Sequence, residues 1–125
     1  MKYKVFILAT LFLLFTDCTS NTDTFTDRIS GNYSGTFERN GVSTPIQITF
    51  DNGTFNGQSA VEKFPAICNG IYTSNGDQIT FTNNCIWTAD FDWTLILSEE
   101  WTFERNQSEL TLTKANGDTY RLFRQ

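Results

Sequence analysis

The 125-residue chain has no histidine. That absence excludes Ser-His-Asp and Cys-His nucleophilic mechanisms and histidine-ligated metals. No Cys-x-x-Cys is present, so thiol–disulfide exchange chemistry and a four-thiolate zinc site lack their usual motif. Basic residues are sparse: nine Lys and Arg against fourteen Asp and Glu, for a net charge of −5. They are scattered rather than striped, which argues against nucleic acid or an anionic bilayer surface as partner. Glycines sit singly in turns, and no glycine-rich phosphate loop is formed. Proline occurs only twice, so little interrupts extended segments. No apolar run reaches the roughly 20 residues that a membrane helix needs. Beyond the first twenty residues no stretch has helical period, and there is no internal repeat or low-complexity tract.

What is present begins with Met1-Lys2-Tyr3-Lys4, a short basic start, followed by Val5 to Phe15. This eleven-residue apolar run, broken only by Thr10, has the length and flank of a signal h-region. After it comes Phe15-Thr16-Asp17-Cys18, where the chain resembles a bacterial lipoprotein signal. The resemblance implies cleavage before Cys18 and lipid attachment to it, placing the protein in the bacterial cell envelope with its membrane partner reached through the anchor. Asp17 stands where a small residue is usual, and ordinary secretion with cleavage nearby is the alternative. Loss of Lys2, Lys4 and Asp17 with the leader would move the net charge from −5 to −6. The expected organisation is a signal peptide over 1–17, a flexible tether over 18–28, and a folded domain over 29–125. The tether is polar and without periodicity, with Phe25 its single large apolar residue.

If Cys18 is acylated, Cys68 and Cys85 remain as an even pair in an oxidising compartment. Between them, Ser74-Asn75-Gly76-Asp77 reads as a hairpin turn. A two-residue Asn75-Gly76 turn pairs positions whose numbers total 151. The cysteines total 153 and so miss direct opposition by two, a gap that a bulge or longer loop would close. The expectation is a structural disulfide near the open end of this hairpin. Two cysteines without histidine make a poor metal site, and no metal or other cofactor is expected.

Strand signals recur about every ten residues from Ile29 onward. Tyr33 and Phe37 share one face of the first, and Ile46, Ile48 and Phe50 alternate in the second. Phe55 to Val61, Ile71-Tyr72 and Ile79-Thr80-Phe81 follow. Trp87 to Leu97 is the most apolar stretch, where Trp93, Leu95 and Leu97 alternate as a strand. Glu99-Glu100 reads as a polar turn before Trp101-Thr102-Phe103, then come Leu110 with Leu112 and Tyr120 with Leu122. The expected fold is all-β: one antiparallel meander of about eight strands, preceded by the signal helix and tether. Closure into a small barrel removes the two exposed edges that an open meander would leave.

Gly31-Asn32-Tyr33-Ser34-Gly35-Thr36, the run of single hairpins, a Trp-rich sixth strand and a terminal Arg together resemble the lipocalin-like, calycin-type small lipoproteins of bacteria. In that pattern a basic residue from the barrel's end packs over the first-strand aromatic, and here Arg121 or Arg124 would lie over Tyr33. Cys68-Asn69-Gly70-x-Tyr72 with a second Cys is similar, over about 20 residues, to META-type domains. Either resemblance implies a small exported β-fold with a ligand-binding or unresolved role and supplies no catalytic residues.

Function follows from what the aromatics and carboxylates can do. Tyr33, Phe37, Trp87, Trp93, Trp101 and Phe103 either line a cavity for a small apolar ligand or simply fill a small barrel. Asp90 and Asp92 flank Phe91 and are the only paired carboxylates suggestive of acid–base work, against a reading as solvated loop charges. The leading expectation is a non-enzymatic, membrane-tethered barrel that binds a small apolar ligand or an envelope partner. The alternative is a structural or inhibitory protein-interaction domain without a cavity, which exposure of Trp87 or Trp93 would favour.

Overall fold

The computed structural model describes residues 29–125. The signal segment, Cys18 and the tether lie outside the described residues. Eight strands follow one another along the chain: β1 (Gly31–Arg39), β2 (Val42–Asp51), β3 (Thr54–Ser59), β4 (Asn69–Asn75), β5 (Gln78–Asn83), β6 (Glu99–Asn106), β7 (Glu109–Thr113) and β8 (Thr119–Arg124). Each pairs antiparallel with the next, and β8 returns to β1 from Tyr33↔Arg124 to Glu38↔Thr119, closing the barrel. The expected all-β meander is therefore present, and closure satisfies both edges.

Turn chemistry explains the tight connections. Asn40-Gly41 and Asn52-Gly53 both have positive φ at each residue, as a type I′ hairpin turn requires. The Asn75-Gly76 pair behaves differently. Asn75 stays in β4 opposite Gln78, and Gly76-Asp77 makes the turn, with positive φ at Gly76 alone. That is the pattern of a type II′ turn, whose first central residue is glycine. The β4–β5 ladder consequently pairs Gly70 with Asn83 and Tyr72 with Phe81, positions that total 153, not 151. Asn84 N–H then donates to the Asn69 carbonyl at 2.9 Å, and the next rung is Cys68 opposite Cys85. The expected disulfide forms there, with Cα atoms 6.4 Å apart, and needs no bulge.

A second correction concerns the Trp-rich stretch. Residues 84–98 are not a strand; they cross between β5 and β6 as a loop containing a 3-10 turn, Trp93–Leu95. Asp92 caps that turn: its carboxylate accepts from Thr94 N–H at 3.0 Å and from Thr94 Oγ at 2.6 Å. Local side-chain bonding of this kind competes with a ladder and wins where no partner strand is free. Glu99 and Glu100 are not the turn but the first residues of β6, opposite Phe81 and Thr80.

Alternating residues of every strand point inward. Tyr33, Phe37, Ile48, Phe50, Phe55, Tyr72, Ile79, Phe81, Trp101, Leu112, Tyr120 and Leu122 are 0–3% exposed. Their rings interlock edge to face: Tyr33 on Phe50 at 5.5 Å, Phe50 on Tyr72 at 5.1 Å, Phe55 on Phe81 at 5.2 Å, and Trp101 on Tyr120 at 5.1 Å. Each such side chain contributes about 1.5–3 kcal/mol by leaving water. Gly35 lies in β1 directly against the β8 backbone. A Cβ there would lie 1.7 Å from the Arg121 carbonyl oxygen, so only glycine lets β8 close on β1.

Candidate functional site

The aromatic residues singled out from the sequence separate into two groups. Tyr33, Phe37 and Trp101 lie in the core, and Phe103 packs against its margin, partly buried. Tyr33, Phe37 and Trp101 keep only 1–3% of their surface, as interlocked core side chains do. Trp87 and Trp93 are elsewhere, on the 84–98 loop outside the barrel wall, with Trp93 57% exposed.

That loop is held rigidly against the neighbouring β3–β4 connection, residues 60–68. The Cys68–Cys85 disulfide ties them at one point. A short parallel bridge ties them at another: Ala66 N–H donates to Leu95 at 2.9 Å, and Leu97 N–H donates to Ala66 at 3.0 Å. Ile96 and Leu97 are drawn into the interior at this point. Within the loop, Trp87 stacks on Phe91 at 5.3 Å, and the Trp93 indole N–H donates to the Thr88 carbonyl at 3.0 Å. The outward aromatic faces are thus fixed rather than loose. Ile86, 98% exposed, stands beside the disulfide, and Val61 on the companion loop is 52% exposed.

Arg39 fastens the loop to the barrel. Its guanidinium grips Asp118 with Nε at 2.8 Å and with Nη2, a bidentate pair in which the carboxylate is nearly buried. Asn116 Nδ2 donates to the same carboxylate at 3.1 Å. The remaining guanidinium nitrogen meets Asp92 at 3.2 Å, and Nη2 also donates to the Thr94 carbonyl at 3.1 Å. The Asp118 hydrogen bond holds the Arg39 pKa above its ordinary value despite partial burial. Nothing in the sequence links positions 39, 92 and 118; chain closure alone brings the end of β1, the 84–98 loop and the β7–β8 turn together.

The same geometry bears on Asp90 and Asp92. The Thr88 side chain and a backbone N–H hold Asp90 below the usual carboxylate range, and the Thr94 side chain and backbone hold Asp92 below it. Both are ionised near neutrality and open to solvent. A proton-donating acid needs the opposite, a carboxyl raised by burial or by an unbalanced neighbour. Asp92 and Asp118 are bridged by the Arg39 guanidinium. Among the described residues the cations lying over rings are Arg39, over Phe37 at 6.0 Å, and Lys114, over Trp101 at 5.4 Å. The cation expected over Tyr33 is therefore corrected: Arg121 instead pairs with Glu38 at 3.7 Å, and the Arg124 guanidinium lies over Gly31.

Outside the barrel, the β1–β2–β3 face with Phe123 of β8 forms an open concavity of about 460 Å³. Its wall includes Gly35, Pro45, Ala60 and Phe123. No protein-family model, no curated protein and no solved structure matches the chain.

Proposed function

We propose that this protein is an exported, non-enzymatic β-barrel, tethered to the cell envelope through a lipid on Cys18, that works by presenting its outer surface to a partner. The observation that carries the reading is the contrast between the two sets of aromatics. Those inside are spent on packing, with 0–3% exposure, while Trp93 and Ile86 stand outside on a cross-braced loop. An aromatic ring held on a braced surface loop is the kind of side chain that protein interfaces are enriched in. The lipocalin-like resemblance belongs to the same proposal, supported at the level of fold by an eight-stranded next-neighbour barrel. Within that reading the barrel serves as a scaffold rather than a container.

Two measurements test it. Titration with a fluorescent fatty acid is expected to give no saturable one-to-one binding and no change in Trp101 emission. Stoichiometric micromolar binding that quenches Trp101 would overturn the scaffold reading. Intact-mass measurement of the membrane fraction is expected to show an acylated chain starting at Cys18. A Cys18→Ala protein that keeps the lipid mass would remove the anchor.

A candidate place for a small apolar ligand is the outer concavity beside Phe123. Fatty-acid binding abolished by Phe123→Ser but not reported by Trp101 would locate it there.

A further inference from the structure

Four strands set outward side chains in a row across one wall of the barrel. Phe123 of β8 stands opposite Ser34 of β1, Ser34 opposite Gln47 of β2, and Gln47 opposite Gln58 of β3. The row runs through the outer concavity of about 460 Å³, a size typical of small-molecule sites. A second concavity, of about 330 Å³, shares Ser34 and Gln47 with it and adds Asn32 and Thr49, a facing pair on β1 and β2. No Lys, Arg, Asp or Glu lines either one. Concavities elsewhere on the surface differ in this respect: Glu62 and Lys63 line one, Glu100 and Lys114 another, and Glu99 a third.

Amides and hydroxyls supply the polar part of this wall. Gln58 Nε2 donates to Gln47 Oε1 at 3.3 Å, which leaves the Gln47 amino group and the Gln58 carbonyl without a partner among the described residues. Thr49 Oγ1 donates to Asn32 Oδ1 at 2.9 Å and leaves the Asn32 amino group open in the same way. Beside them the Phe123 ring is 47% exposed. These features choose among ligands. An ionic ligand finds no counter-charge. An acyl chain suits Phe123 but would desolvate the open Gln47 and Gln58 groups without replacing their hydrogen bonds. An extended peptide cannot add as a strand, because closure has used every strand edge. A sugar ring brings what the wall lacks: hydroxyls that both donate and accept, and an apolar C–H face that lies flat on an aromatic ring.

We infer that the outer wall of β8, β1, β2 and β3 binds a neutral saccharide chain, with one ring on Phe123 and its hydroxyls bonded to Ser34, Gln47 and Gln58. The adjoining concavity at Asn32 and Thr49 takes the next sugar unit. This inference rests on the reading of the barrel as a scaffold and names a ligand class for one part of its outside.

The test titrates the purified, isotope-labelled protein with neutral hexasaccharides of glucose, of mannose and of N-acetylglucosamine, followed by amide NMR shifts. At least one is expected to shift the Gln47 and Gln58 side-chain amides and the Ser34 and Phe123 backbone amides saturably, with half-saturation at about 1 mM or below. Affinity should be the same at about 0.02 and 0.3 M salt, since no charge is involved. Phe123→Ser should weaken binding roughly ten-fold, as for an anchor residue. Gln47→Leu should weaken it about two- to ten-fold, the range for one hydrogen bond. Both side chains are exposed, so these variants keep the folded spectrum. Ile71→Ser, exposed on β4 and outside both concavities, should change nothing. Equal loss from that variant would overturn the inference. So would the absence of saturable shifts with all three sugars, or a steep loss of affinity with salt. A neutral Gln- and Ser-rich decapeptide or a fatty acid that moves the same signals where the sugars do not would also overturn it, while sparing the scaffold reading. Fatty-acid binding that quenches Trp101 would instead defeat the scaffold reading itself, so the two failures are separable.

Discussion

Replacing Cys68 and Cys85 together with alanine should destabilise the domain by about 3 kcal/mol. The bridge spans a sequence separation of 17. For a loop of that length the chain-entropy relation gives roughly 10 cal/mol/K, or about 3 kcal/mol at 25 °C. In a folded unit of about 100 residues, each kcal/mol moves Tm by roughly 4–8 °C, so Tm should fall by roughly 12–24 °C. In urea the midpoint should drop by roughly 2 M if the m-value lies near the low end for small proteins. The m-value should also rise slightly, because a denatured chain without the cross-link exposes more surface. The same shift is expected when the unmodified protein is reduced before the titration. Agreement between the two experiments would assign the loss to the cross-link rather than to the side chains. A midpoint shift below about 0.5 M would refute the reasoning. It would mean that the β4–β5 hairpin persists in the denatured chain and leaves little closure entropy for the bridge to remove.

Three further outcomes follow from the packing and the buried groups. Gly35→Ala should prevent barrel closure, costing more than about 4 kcal/mol or abolishing the folded near-UV circular dichroism signal, because its Cβ would meet the Arg121 carbonyl 1.7 Å away. Ser74→Ala should be neutral or stabilising by up to about 1 kcal/mol in urea melts, since the buried Ser74 hydroxyl has no hydrogen-bond partner. Desolvation first, and the charge of Asp118 second, push the Tyr120 phenol well above its ordinary range, with Arg39 opposing. A group whose pKa is raised on folding contributes stability below the unfolded value and loses it as pH climbs. Stability should therefore fall above about pH 10, by at most about 1.4 kcal/mol per pH unit from this group, and Tyr120→Phe should flatten that limb of a pH–stability curve.

The sequence by itself determined the class of fold, because period-2 alternation and Asn-Gly turns are local features that need no knowledge of distant chain. Ile46, Ile48 and Phe50 read inward from their spacing alone, and the strands they belong to are where that spacing put them. Register was only half legible. Pairings totalling 151 and 153 both keep Tyr72, Ile79 and Phe81 facing inward, so alternation could not choose between them. The cysteines held the missing information, since 153 is the sum that sets them opposite each other. The stretch 84–98 misled because Trp93, Leu95 and Leu97 alternate as a strand would, while Asp92 bends the backbone into a capped turn. Only the tertiary structure decided which aromatics are core and which are surface. Trp101 and Trp93 are the same residue type in similarly apolar contexts. One has a neighbouring strand to pair with and points into the barrel; the other sits where the chain leaves the sheet, so its face remains in water. The same closure placed Arg39 against Asp118, 79 residues away, a contact that no local pattern encodes.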